Sequence, residues 1–209
     1  MSTAVPFFVA LMPDAAMSAT VQAYKDRTRE LVGPQLYLDD PPHTTAYLAA
    51  FPAGFPVPDV LRAAAIPAPP QVRTNGWHSW VGDPLTGRNT LVCAIAQADK
   101  PALRRVQRQV ADALAPHRDL ATTEARFAGR FDALTPQQRE NVRSVGFPFL
   151  GDGWEPHVTI ASILPEHWPT VIGEFESRPP GEVFHYARLD VFELHGVEPV
   201  LRGSYDFPR

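Results

Sequence analysis

The chain has 209 residues, 44% of them hydrophobic and 20% charged, with a net charge of −4. That length supports one well-buried core and is short for two independent domains, so residues 1–209 are expected to form a single domain. The negative balance argues against a basic surface tracking long DNA or RNA, which depends on neutralising many phosphates, but leaves room for a small nucleotide or an RNA end.

The one cysteine, Cys93, sits in the apolar run Leu91-Val92-Cys93-Ala94-Ile95. It can form no intramolecular disulfide and reads as a small buried hydrophobe in a reducing compartment. The opening 5–13 run is apolar but interrupted by prolines and has no basic residue before it. It is too short to span a bilayer and reads as a first strand, so the expectation is a cytoplasmic monomer without a membrane partner.

Asp14 can cap a helix on which Met17, Val21, Tyr24 and Leu31 recur at near-helical spacing, ended by Gly33-Pro34. Pro41-Pro42 bias the chain toward extended structure, and a strand over 43–51 and a short helix over 59–65 follow. Strands over 71–80 and 90–97 are joined by a turn at 82–87. Asp99 can cap a helix reaching 116, with Leu103, Val106, Val110 and Leu114 on one stripe. In the irregular 117–154 segment, Thr135-Pro136 opens a helix over 137–143. A strand over 157–164, a helix over 166–176 and strands over 183–194 and 200–207 complete the chain.

Two segments repeat each other: Pro42-His43-Thr44-Thr45 and Pro156-His157-Val158-Thr159, each running into an apolar strand, a proline and a short helix. This echo reads as two lobes related by an approximate two-fold. Residues i and i+2 of a strand share a face, roughly 7 Å apart. Alternation then puts His43, Thr45, Tyr47, Ala49 and Phe51 on one face, and His157, Thr159, Ala161 and Ile163 on the other strand's equivalent. The intervening residues are mostly small and apolar and suit a face packed under helices. Both His-x-Thr pairs are therefore expected to face a groove between the lobes.

The chemistry that fits is phosphodiester cleavage. Opening a 2′,3′-cyclic phosphate needs a base for water and an acid for the leaving ribose oxygen, and histidine can serve as either near neutral pH. Thr45 and Thr159 can donate to the non-bridging oxygens, where charge builds. Neither motif has a third Cys, Asp or Glu at ligand spacing, so neither metal nor other cofactor is expected. Tyr47 and Trp154 are candidates for stacking on a base. Trp77 and Trp80 point to opposite faces of a regular strand, and His78 between them reads as an edge residue. Arg126, Arg130, Arg139 and Arg143 read as a solvated helix face, with a basic flap over a phosphate as the alternative. His117, His167, His185 and His195 read as surface or structural.

With these residues the chain resembles the 2H phosphoesterase superfamily, which includes bacterial 2′-5′ RNA ligase proteins and cyclic nucleotide phosphodiesterases. The signature of that group is His-x-[Thr/Ser]-x, twice, matched by His43-Thr44-Thr45-Ala46 and His157-Val158-Thr159-Ile160. Ala161-Ser162 stand where several relatives carry Arg. The resemblance implies an α+β, bilobal fold with two pseudo-symmetric antiparallel sheets, helices outside and a central cleft. It also implies metal-independent 2′,3′-cyclic phosphodiesterase activity on a nucleotide or RNA end. Alternatives are cleavage or joining of 2′-5′ linkages, or a non-catalytic nucleotide-binding module on the same fold.

Overall fold

The computed structural model describes residues 4–83, 86–196 and 198–207. Pro84 and Leu85, in the expected 82–87 turn, lie outside the described residues.

Strand β1 (Ala4–Pro13) leads into helix α1 (Ala15–Val32), which returns the chain to strand β2 (Thr44–Pro52). Asp14 makes this junction: one carboxylate oxygen caps α1 by accepting from the Met17 N–H at 3.0 Å, and the other accepts from the His185 N–H at 2.8 Å. Gly33, at φ +72°, ends the helix in a conformation other residues rarely adopt.

After helix α2 (Val57–Ala64), strands β3 (Val72–Trp80) and β4 (Asn89–Ile95) pair as a hairpin, and helix α3 (Lys100–Leu114) buries the expected stripe of Leu103, Val106, Val110 and Leu114. Asp99 does not cap α3. Its carboxylate instead accepts from the Arg73 guanidinium at 3.1 Å and from the Arg73 backbone N–H at 2.9 Å.

The segment from 115 to 153 resolves into helices α4 (Leu120–Ala125) and α5 (Pro136–Val145) with short 3₁₀ turns around them. Thr135 caps α5 in a reciprocal capping box with Gln138. This segment covers the outer edge of β2: the Asp119 N–H bonds the Ala50 carbonyl at 2.8 Å, and the Ala50 N–H donates to the Thr123 hydroxyl at 3.1 Å. An open strand edge is thereby capped.

Strand β5 (His157–Ile163) carries the second motif and is followed by helix α6 (Trp168–Phe175), whose approach through Pro165–His167 is 3₁₀. The expected 183–194 strand is broken at His185. Strand β6 (Val183–Phe184) pairs with β3, whereas β7 (Tyr186–His195) pairs with β1 and then with β8 (Glu198–Asp206). The break transfers the chain between sheets.

Two four-stranded sheets result, in the orders β2-β1-β7-β8 and β5-β4-β3-β6, antiparallel at each pairing. The units β1-α1-β2 and β4-α3-β5 correspond under the pseudo-two-fold, with 115–153 as an insertion in the second. Helix α1 packs on β5 and α3 on β2, so each lobe's helix supports the other lobe's motif strand. Residues of both sheets share one hydrophobic core, including Leu11, Phe51, Leu91, Ile95, Ile160 and Leu189. Cys93 is buried within it, and burial pushes its thiol pKa well up, which keeps it protonated.

Candidate active site

The heads of β2 and β5 meet. The Thr44 hydroxyl donates to the His157 carbonyl at 2.7 Å, so the two motifs begin side by side at the junction of the sheets. His43, Thr45, His157 and Thr159 are all half-buried.

The two imidazoles are held alike. His43 Nδ1 lies 2.8 Å from the Pro41 carbonyl, and His157 Nδ1 lies 2.7 Å from the Glu155 carbonyl, two residues upstream in each case. A carbonyl only accepts, so each Nδ1 carries the proton and each Nε2 presents its lone pair. Burial lowers the pKa of both rings and outweighs these carbonyl bonds; His157 falls to about 4, with His43 among the charges that disfavour its protonation. Both rings are neutral at neutral pH. Among the described residues, neither Thr45 nor Thr159 spends its hydroxyl on a protein partner.

Each motif also contains a β-bulge at the same place. Ala10 pairs with Thr45 and Val9 with Tyr47, which leaves Ala46 extra; Val92 pairs with Thr159 and Leu91 with Ala161, which leaves Ile160 extra. A bulge re-aims the side chains beyond it. His43 and Thr45 therefore keep the cleft face, while Tyr47, Ala49 and Phe51 turn into the core.

Two expectations are corrected here. Tyr47 is fully buried and donates its hydroxyl to the Val145 carbonyl, so it offers no ring to a base. Trp154 is 4% exposed and packs in the core, because Arg104 and Gln107 of α3 fasten the chain around it through Asp152, Phe149 and Gly151.

A model of the 2′-5′ RNA ligase superfamily matches residues 13–198. The chain belongs to that superfamily. Its 2H phosphoesterase resemblance is thus shown by family as well as by motif. Among solved structures, TT0787 of Thermus thermophilus aligns at TM-score 0.55 and 17% identity over 97% of both chains. E. coli LigT bound to NADP+ aligns at 0.53 and 10% identity over all of both chains. LigT bound to 3′-AMP aligns at 0.52 and 12% identity, over 99% of this chain and all of that one. At these identities the likeness establishes the shared bilobal α+β fold. No curated protein sequence matches the chain.

The cleft walls of this superfamily member are unlike each other. On the β2 side, Phe8, Ala10, Met12 and Phe192 form a small apolar cluster apart from the main core, topped by half-buried Leu48 and Leu194. The Phe8 ring lies 5.5 Å from that of His43 and stacks on Phe192 at 4.8 Å. Further along the same face of β7, Arg188 and Asp190 form a bidentate ion pair at 2.8 and 3.0 Å. On the β5 side, half-buried Trp80 lies 4.8 Å from the His157 ring and 4.7 Å from that of exposed His78. Trp77 faces the other way, against Tyr24 and Phe175.

Two of the four arginines expected in the segment before the second motif are committed elsewhere. Arg139 donates to the Leu134 and Asp132 carbonyls, and both Arg139 and Arg143 lie over the Phe131 ring. They are tied to the segment behind β2; the Arg130 side chain lies outside the described residues. Among the described residues, no group of three or more His, Cys, Asp or Glu is placed to hold a metal ion. Among them, too, no helix is long and apolar enough to cross a membrane.

Proposed function

We propose that this chain is a phosphodiesterase that opens 2′,3′-cyclic phosphates of small nucleotides or RNA ends by two-histidine acid–base catalysis, without a metal. The observation that carries the reading is the matched pair of imidazoles, each with its Nδ1 proton fixed on a backbone carbonyl and its Nε2 left for substrate.

One neutral Nε2 takes a proton from the attacking water as the new P–O bond forms. The other histidine, protonated, donates to the ribose oxygen as the old P–O bond breaks, so the proton count is restored over the cycle. Thr45 and Thr159 donate to the non-bridging oxygens as they gain charge. Membership of the 2′-5′ RNA ligase superfamily supports phosphodiesterase- or ligase-like activity. That LigT was solved with 3′-AMP supports a small nucleotide as the ligand.

The test is turnover of 2′,3′-cyclic nucleotides and of cyclic-phosphate-ended oligonucleotides in EDTA, beside a 2′-5′-linked dinucleotide. Cyclic phosphate opening that survives chelation and falls by about 10²–10⁴-fold in His43→Ala or His157→Ala is the expected result. Activity confined to the 2′-5′ dinucleotide would redirect the reading to linkage cleavage, and binding without turnover to a non-catalytic module.

A further inference from the structure

Helix α1 carries a lysine where its pattern calls for a hydrophobe. Lys25 shares the buried stripe with Met17, Val21 and Thr28 and is 1% exposed. An ammonium that leaves water is costly unless its protons are bonded. Lys25 Nζ donates to the Tyr37 carbonyl at 2.5 Å and to the Asp40 carbonyl at 2.8 Å. Both acceptors lie in the loop between α1 and the first motif. Tyr37 has φ +71°, a left-handed conformation that a non-glycine side chain adopts only when its surroundings hold it there.

The loop leads directly to His43. The carbonyl after Asp40, that of Pro41, accepts the His43 Nδ1 proton. The acceptor of Lys25 and the acceptor of His43 thus sit on consecutive peptide units. We propose that Lys25 is a positioning residue for His43: its buried ammonium clamps the 37–40 loop, so that the Pro41 carbonyl holds the imidazole in the Nδ1–H tautomer with Nε2 toward the cleft.

The other lobe solves the same problem with a lysine from the corresponding helix. Lys100 of α3 is 8% exposed and pairs with the Glu155 carboxylate, and the Glu155 carbonyl accepts the His157 Nδ1 proton. The two clamps differ in their acceptors, backbone in one lobe and carboxylate in the other, yet both act on the residues that orient a motif histidine.

The charges around the first clamp are few. Asp39 and Asp40 favour the Lys25 proton and Arg29 opposes it, while burial prevails and brings its pKa down to about 8. Around His43, Asp40 favours protonation and Lys25 disfavours it, with His157 nearby. Losing the lysine proton therefore changes both the grip on the loop and the field at the imidazole.

The catalytic consequence rests on the proposed function; the clamp itself does not, and the experiment separates them. Long-range ¹H–¹⁵N correlation spectra of the whole chain read the His43 tautomer and titration directly. In Lys25→Met, His43 should change from one tautomer to a mixture and its titration should move, because the Pro41 bond that favours its proton and the lysine charge that opposes it are both lost, while His157 stays as it was. Turnover of a 2′,3′-cyclic nucleotide should fall about ten-fold in kcat, with KM within about two-fold. If this variant does not fold, the wild-type chain supplies the measurement: the His43 ring nitrogens should show a second inflection as Lys25 loses its proton, absent from His157. An unaltered His43 tautomer and titration in a folded Lys25→Met overturns the proposal, as does a missing second inflection in the wild type. A ring that responds to Lys25 in a chain that turns over no cyclic phosphate leaves the clamp standing and removes the functional reading.

Discussion

The Thr44 hydroxyl, at the middle position of the first His-x-Thr, donates its only proton to the carbonyl of His157 at 2.7 Å. Its oxygen lies 2.7 Å from the Tyr186 hydroxyl. Because the Thr44 proton is spent on a carbonyl, Tyr186 is the donor to Thr44. Burial pushes the Tyr186 phenol pKa well up and keeps that proton in place. A phenol at the crossover between sheets, a hydroxyl from one motif and a carbonyl from the other thus form a single chain.

This chain makes the junction between the motifs testable by substitution. Thr44→Val keeps the shape but strands the His157 carbonyl and the Tyr186 hydroxyl in a buried site, which should cost about 1–3 kcal/mol. Tyr186→Phe should cost less, because Thr44 keeps its carbonyl. The double variant should be less destabilised than the sum of the two, with a coupling of about 0.5–3 kcal/mol in urea unfolding. Strict additivity would mean that the three groups do not act as one chain.

The elements of this fold are largely legible in the sequence because their signals are local. Asp14 stands before a periodic stripe and caps its helix, and Thr135-Pro136 opens one as expected, whereas Asp99, also before a stripe, is drawn off to Arg73 by a contact distant in sequence. The paired His-x-Thr and their strands are readable for the same reason. The bulges are not. Ala46 and Ile160 stand among residues that are apolar on both faces, so an extra residue leaves no break in the pattern, yet it reverses Tyr47 from cleft to core. The break at His185 is hidden likewise, since both halves of 183–194 are strand-forming and only tertiary pairing separates them. Lys25 does leave a mark: a lysine four residues after Val21, on the apolar stripe, is the trace of a buried cation. Trp154 misleads because adjacency to a motif in sequence says nothing about which way a ring turns.

Both motif histidines have lowered pKa values, so the resting protein holds two bases and no protonated acid at neutral pH. In the proposed reaction one ring must be neutral and the other charged. That state is most populated between the two free-protein pKa values, both of which lie under the ordinary histidine value of about 6.5. The kcat/KM profile should accordingly be bell-shaped with its maximum below pH 6.5, and should fall as pH rises through neutrality. An optimum above pH 7.5 in EDTA would contradict the two-histidine assignment.

The same shifts predict how stability depends on pH. His157 has a folded pKa of about 4, below its unfolded value near 6.5. Between those values the unfolded chain binds the proton and the folded chain does not, so acid favours unfolding in that window. Above pH 6.5 both states are neutral at this position and its contribution is flat. Unfolding free energy measured in urea should drop as pH is lowered from 6.5 to 4.5. The drop should be smaller in His157→Gln, which has nothing to protonate. Equal slopes for the two proteins would show that other groups carry the dependence.

The bulge geometry separates two aromatic residues that sequence position alone treats as equals. Tyr47 is in the core with its hydroxyl on the Val145 carbonyl, whereas Trp80 lines the cleft beside His157. Tyr47→Phe leaves a buried carbonyl unpaired and should lower stability by about 1–3 kcal/mol, with kcat and KM for a cyclic nucleotide unchanged. Trp80→Ala removes a half-buried ring from the wall and should act mainly on KM. Loss of a base-stacking platform, at about 1–3 kcal/mol, corresponds to roughly a 5- to 150-fold rise. A cyclic phosphate lacking a base should show no such rise, because it has nothing to stack. If the baseless substrate suffers equally, Trp80 supports the His157 ring rather than the nucleotide, and the effect should then appear in kcat.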